Sequence, residues 1–378
     1  MDERISEIVE KLPDLESVTG VWDVADRRHA QGDTAFPADL GIALARRYDR
    51  PGAEQVWQYG SVHDHLLRLL AVTPGPENVH HALRLIAATP TQRQRDRYIA
   101  SLLASGHPAE ELAVVFGTGG APVSDELRAC LVQELALRGA PVPELPGVAG
   151  WTASPHWSHH PLSLLPLTLS SVEEDAPLPR YGVNGSSAEL PYGPSEERGM
   201  RADLRLPVPT TVETTTEPAV TLIASAVANW AEESNGRIEA RTFSFMEALD
   251  EAALPSVLSS LGLKCLDGVG KKSRLSVSVI PATRAWRVLF AAASTGGAYN
   301  RGGYGAYGRL AARQSLAGLS GAGPDASAAE IETRAKSCTW YGFEAPTPWF
   351  WQVAWDIGVT AVAPDRRSLA VLAASDTD

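Results

Sequence analysis

Apolar residues recur every three or four positions through the first part of the chain. Ile5, Ile8, Val9 and Leu12 form one stripe, Val18, Val21, Trp22 and Ala25 a second, and Leu40, Ala43, Leu44 and Tyr48 a third. At this spacing side chains share one face of an α-helix. Val79, Ala82, Leu83 and Ile86 continue the pattern, followed by Tyr98, Leu102 and Leu103, then Leu127, Leu131 and Leu135. Pro37, Pro51, Pro74, Pro90 and Pro108 punctuate it where helices start or stop, and Ser124-Asp125 offers an N-cap for the last helix. Residues 1–140 therefore predict an all-helical domain, a bundle or HEAT-like pairs, without a fixed-period repeat.

The periodicity then fails. Between 141 and 216 proline recurs among serine, threonine and glycine, which reads as a surface connector with short turns or strands. Asn184-Gly185 predicts a tight hairpin turn within it, and TTVETTT from Thr210 to Thr216 is strand-prone. From 217 to 378 the pattern predicts a mixed α+β domain. Val220–Ala231 reads as a helix ended by Gly236, and Arg237–Phe245 alternates as a strand does. Met246–Leu263 reads as a helix broken at Pro255. Leu275–Ile280 and Trp286–Ala293 read as strands, Ala328–Cys338 as a helix. Ile357–Ala363 and Ser368–Ala374 read as a hairpin around Pro364-Asp365-Arg366-Arg367. The whole is α+β, helical first and mixed second.

One stretch of the second domain carries the densest set of special backbone residues. An apolar run leads into GGAYNRGGYGAYGR and then a helix. Gly296, Gly297, Tyr299, Arg301, Gly302, Gly303, Tyr304 and Arg309 are the candidate ligand-binding residues. Glycine admits close backbone approach, a helix N-terminus favours anions, and arginine grips phosphate or carboxylate through two donors. The stretch lacks both the dinucleotide fingerprint and the lysine-bearing phosphate loop. Its three tyrosines, Tyr299, Tyr304 and Tyr307, fit a packed or recognition loop equally well.

The remaining chemistry narrows the choice. All nine histidines precede residue 161, so the second domain contains no histidine for a Ser-His or Cys-His pair. His156, His159 and His160 are spaced as metal ligands could be, but no carboxylate or cysteine stands beside them in sequence. No metal or other cofactor is expected, and no catalytic residue is assigned. Cys130, Cys265 and Cys338 are scattered and odd in number, which fits a reducing, cytoplasmic compartment, and Cys265 and Cys338 read as core thiols. The net charge of −12 opposes a nucleic-acid partner. The best basic group, Lys271, Lys272 and Arg274, reads as a solvated loop. No apolar run approaches the ~20 residues needed to span a bilayer. Trp340, Trp349, Trp351 and Trp355, with Phe343 and Phe350, read as a core seam, and Asp376 and Asp378 as a solvated terminus.

Only five of the 33 basic residues are lysine, a composition of GC-rich bacterial genomes. The pattern GGAYNRGGYGAYGRLAARQSLAGL, then CTWYGFEA, then WFWQVAWDIGVTAVAPDRRSLAVLAASDTD, resembles a bacterial protein family of unknown function over about residues 286–378. The resemblance implies no activity, cofactor or site residue. The leading expectation is a non-enzymatic cytoplasmic protein-binding or scaffold protein, its partner another protein or a second copy. The alternative is an enzyme or sensor that binds a small anion or nucleotide at the Gly296–Gly308 loop.

Overall fold

The computed structural model describes residues 2–49, 56–117, 123–192, 207–269, 275–350 and 355–377. Lys271, Lys272, Arg274, Trp351 and Asp378 lie outside the described residues. The fold is α+β, helical in its N-terminal part and mixed in its C-terminal part. It divides into two compact units: Met1–Ser163 with Pro179–Ser187, and Leu164–Leu178 with Ala188–Asp378.

The first unit is built on helices α1 (Glu3–Lys11), α2 (Thr19–Ala30), α3 (Ala35–Tyr48), α4 (Trp57–Val72), α5 (Pro76–Ala87), α6 (Arg93–Gly106), α7 (Ala109–Leu112) and α8 (Asp125–Leu137). The stripes explain their packing. Ile5, Ile8 and Leu12, Val21 and Ala25, Leu40 and Leu44, and Val79, Ala82, Leu83 and Ile86 are all buried, so each helix turns one apolar face inward. Helix α4 packs against α2, α3, α5 and α6, and α6 against α8. In α8, Leu127 and every residue from Ala129 to Leu137 are buried, so this helix is enclosed on all sides. Ser124 caps it by accepting the Leu127 N–H at 3.0 Å.

The proline-rich stretch expected as one connector is shared between the units. Residues up to Ser163 belong to the first unit, with α9 (Val148–Thr152) and α10 (Pro155–Ser158), where the Trp151 ring packs on both Phe116 and Trp157. Asn184-Gly185 does turn a hairpin, β1 (Arg180–Gly182) with β2 (Gly185–Ser187). Leu164–Leu178 belongs to the second unit.

The second unit holds β3 (Thr211–Glu213), α11 (Glu217–Ala224), α12 (Ala228–Glu233), β4 (Arg237–Phe245), α13 (Leu254–Ser260) and β5 (Ser276–Ile280). It continues with α14 (Ala282–Thr295), α15 (Tyr304–Leu319), α16 (Ala328–Ser337), β6 (Thr339–Glu344), β7 (Trp355–Val362) and β8 (Ser368–Asp376). The strands form one antiparallel sheet in the order β3-β4-β8-β7-β6-β5. Its strands alternate, and both faces are covered. Phe243, Phe245, Val277, Tyr341, Phe343, Val362, Leu369, Val371 and Ala373 join Leu254, Val257, Leu258, Leu263 and Cys265 in one core. On the other face lie Ala240, Trp340, Ile357, Val359, Ala361, Ala370, Leu372 and Ala374, all buried, where α11, α14 and α15 pack against strands β4, β6 and β8. Phe343, Phe350 and Trp349 thus belong to the first core, and Trp340 is buried on the opposite face, its Nε1 donating to the Ala335 carbonyl at 2.7 Å.

Trp286–Ala293, expected as a strand, is the body of helix α14. A helix buried nearly all round lacks a polar stripe, so its apolar run has no period to distinguish it from a buried strand. Val220–Ala231 is split into α11 and α12, and only Leu254–Ser260 of Met246–Leu263 is α-helical, with Pro255 in its first turn. Among the described residues no helix is long and apolar enough to cross a membrane.

Helices α14 and α15 pack backbone to backbone. A Cβ on Gly308 would stand 2.7 Å from Ser294 Cβ and 2.9 Å from its Cα, so only glycine permits this approach. Gly308→Ala is expected to lower stability by about 1–3 kcal/mol through overpacking. Gly60→Ala, on α4 with nothing within 4 Å of the added methyl, should raise it by about 0.5–1 kcal/mol. Urea unfolding midpoints of the two variants check this pair.

Candidate functional site

The glycine-rich segment is a helix–loop–helix corner. Residues 296–303 join α14 to α15, and the N–H groups of Gly296, Gly297, Ala298, Gly302 and Gly303 are engaged inside the protein. Gly296 takes φ +84°, a left-handed conformation that glycine adopts without strain, and its N–H closes α14 on Ala292. The Gly297 N–H donates to Asn300 Oδ1 at 2.8 Å and the Ala298 N–H to Asp376 Oδ2 at 2.7 Å. The N–H groups of Gly302 and Gly303 donate to the carbonyls of Thr295 and Ala293.

Asp376 is the loop's internal anion. It ends β8, is only 1% exposed, and also accepts from Ser234 Oγ at 2.9 Å. A Cβ on Gly297 would fall 2.0 Å from Asp376 Oδ2, so glycine is required there for the carboxylate to reach the loop. Asn300 completes the lock: its Nδ2 donates to the Asn229 carbonyl at 2.7 Å, and Asn229 Nδ2 donates to Asn300 Oδ1 at 3.2 Å. Asp376 was expected as a solvated terminal residue. Nothing local in sequence announces its role, because its partners at Ala298 and Ser234 lie 78 and 142 positions away.

Arg309 is not on the loop surface. It is 0% exposed on α15 and makes a fork-to-fork ion pair with Glu173, Nε to Oε1 at 2.8 Å and Nη2 to Oε2 at 2.9 Å. Its Nη1 donates to the Pro166 carbonyl and its Nη2 to the Thr168 carbonyl, both at 2.9 Å. The guanidinium thereby fastens residues 166–173 to the helix. Burial alone would raise the pKa of the Glu173 carboxyl, but the Arg309 bonds and charge, with the Ser170 N–H, hold it below the ordinary carboxylate value. Tyr304, at the start of α15, is half-buried with φ +56°, a strained conformation for a bulky residue. Gly302 is buried and Gly303 half-buried. What the corner turns outward is Tyr299, 63% exposed, and the exposed Arg301.

The three histidines diverge to separate partners. His156 Nδ1 pairs with Asp125 at 2.9 Å, His160 Nε2 with Glu126 at 3.2 Å, and His159 Nδ1 with the Pro155 carbonyl at 2.7 Å. Among the described residues no group of three His, Cys, Asp or Glu side chains is placed to hold a metal ion. His63, on α4, is enclosed; burial and the Arg95 charge push its pKa down to about 3, so it stands neutral beside Arg95 Nη2 at 3.2 Å. Sequence reasoning also passed over Asp96, a buried carboxylate on α6 that accepts from Ser124 Oγ at 2.6 Å. It lines a small polar cleft with Thr89, Thr91 and Arg95.

The sheet covered on both faces, with a locked helical corner at one end of β8, is what the C-terminal sequence pattern encodes, and the family match extends well beyond that part. The chain belongs to a family of unknown function (DUF6183), whose model matches residues 19–378. No curated protein and no solved structure matches the chain.

Glu173→Gln is expected to cost about 3–5 kcal/mol of stability, because it leaves a buried guanidinium without its counter-charge. The wild-type pair also sets a pH window. With the folded pKa below the unfolded value near 4.3, its contribution is complete above the unfolded pKa and is lost as pH falls through the folded one. Chemical unfolding between pH 3 and 7 should show that acid-side loss in the wild type and less of it in the variant. Asp376→Ala should free the corner. Trypsin cleavage after Arg301 is then expected to quicken about tenfold or more, the effect of losing charge-assisted hydrogen bonds that oppose local opening.

Proposed function

We infer that the chain is a non-enzymatic, cytoplasmic protein-binding protein of a bacterial cell, and that it engages another protein through Tyr299 and Arg301. The observation that carries this reading is the exposure of these two side chains on a corner whose Gly297, Ala298, Gly302 and Gly303 N–H groups bond internally. Tyrosine and arginine are the residue types that dominate interface energetics. A backbone held by Asp376 and Asn300 has already lost the freedom that a flexible loop would lose on binding. The partner this chemistry fits has a shallow apolar recess for the Tyr299 ring and a carboxylate for Arg301. The engagement of the Gly297, Ala298, Gly302 and Gly303 amides weighs against a nucleotide cradle in the same loop, since those donors already serve Asn300, Asp376 and backbone carbonyls. Three free cysteines agree with a reducing compartment.

A photo-crosslinking amino acid in place of Tyr299 tests the reading in the native host, with the same group at the exposed position Gln31 as control. A protein captured at 299 and not at 31 is expected, and calorimetry with that protein should show about tenfold or greater weakening for Tyr299→Ala and for Arg301→Ala. Capture no greater at 299 than at 31, or affinity unchanged in both variants, would contradict it. So would turnover of a nucleotide or phosphoester that is lost in Arg301→Ala.

A further inference from the structure

Arg313 lies one helical turn beyond Arg309 on α15, so the two guanidinium groups leave the same side of the helix. Arg313 is only 8% exposed. Among the described residues it donates no hydrogen bond, and its Nη2 is enclosed without an acceptor. A guanidinium stays protonated in proteins and carries five donors, and a buried charge is costly unless it is paired. Burial draws its pKa down, with Glu173 opposing and Arg309 reinforcing that shift.

The surrounding charges do not balance. Arg309 and Arg313 share one buried carboxylate, Glu173, and both Glu173 oxygens already accept from Arg309. The other carboxylate acting on Arg313 is Glu332 of α16, whose Oε1 accepts from Lys336 Nζ at 2.7 Å and from the N–H and Oγ of Ser171, and neither of its oxygens accepts from Arg313 among the described residues. Among the described residues Arg313 is left without a carboxylate bonded to it. We propose that Arg313 anchors a binding site for a small oxyanion, a phosphate or carboxylate group, on the side of α15 that faces Glu173 and Glu332. A planar guanidinium presents two parallel N–H donors to such a group, and the bound anion would restore the balance. Because Arg309 ties residues 166–173 to the same helix, the ligand would sit against that segment and stabilise it. This site shares no residue with the Tyr299–Arg301 surface, and the two readings stand or fall separately.

The test uses the full chain, exchanged into a buffer of weakly bound anions, with inorganic phosphate and acetate as probes at matched ionic strength. Thermal unfolding of the wild type is expected to rise with one or both probes, saturating in the millimolar range, and the arm that responds identifies the ligand group. Arg313→Met removes the unpaired charge; it should unfold at the same or a higher temperature without added anion and show no response to either probe. Arg313→Lys, which keeps the charge and loses the fork, should bind roughly 10- to 100-fold more weakly, the range for losing a charge-assisted contact. Should the methionine variant fail to fold, calorimetric titration of phosphate and acetate into wild type and Arg313→Lys decides the matter. Neither probe binding the wild type would overturn the proposal and leave the guanidinium to water. An undiminished response in Arg313→Met, or equal affinities in Arg313→Lys and the wild type, would overturn it as well.

Discussion

The second unit depends on an ion pair that the interior tolerates only because it is fully satisfied. Arg309 and Glu173 are 0% and 3% exposed, a burial that would be strongly unfavourable for either charge alone. Two carboxylate oxygens and two backbone carbonyls meet the guanidinium, and those carbonyls belong to Pro166 and Thr168. A segment with no helix or strand of its own is thus fixed to α15 by one side chain. With α15 held there, and α14 brought against it at Gly308, the corner between them can take only a narrow set of paths. Asp376 and Asn300 then select one of these.

The same constraint changes what the glycines of that corner mean. Glycine before a helix invites comparison with phosphate-binding loops, where small residues expose amide groups to a ligand. Here Gly297 makes room for a carboxylate of the protein, and Gly308 makes room for the backbone of α14. Each substitutes a close internal approach for an external one. The side chains that the corner turns outward are Tyr299 and Arg301.

Sequence periodicity was a sound guide wherever one face of an element is buried and the other is wet. The stripes of α1, α3 and α5 meet that condition. It failed at α14, whose Ala285, Trp286, Val288 to Ala293 and Ser294 are buried together, because a helix without a polar side carries no period. The position of the candidate corner was legible from its glycines, and the presence of a charge at Arg309 from its letter alone. The partners were not: Glu173 lies 136 positions away and Asp376 lies 78 from Ala298. Contacts of that range depend on the sheet and helices already being in place, and no local pattern encodes them.

The Gly297 and Ala298 amides are bonded inside the protein, to Asn300 and Asp376. Amide resonances of Gly297 and Ala298, followed by NMR while phosphate or a nucleotide is added, test this most directly. Both amides are expected to exchange slowly with solvent and to keep their chemical shifts as either ligand is raised. Fast exchange at these two positions, with shifts that move and saturate on adding phosphate or nucleotide, would contradict it.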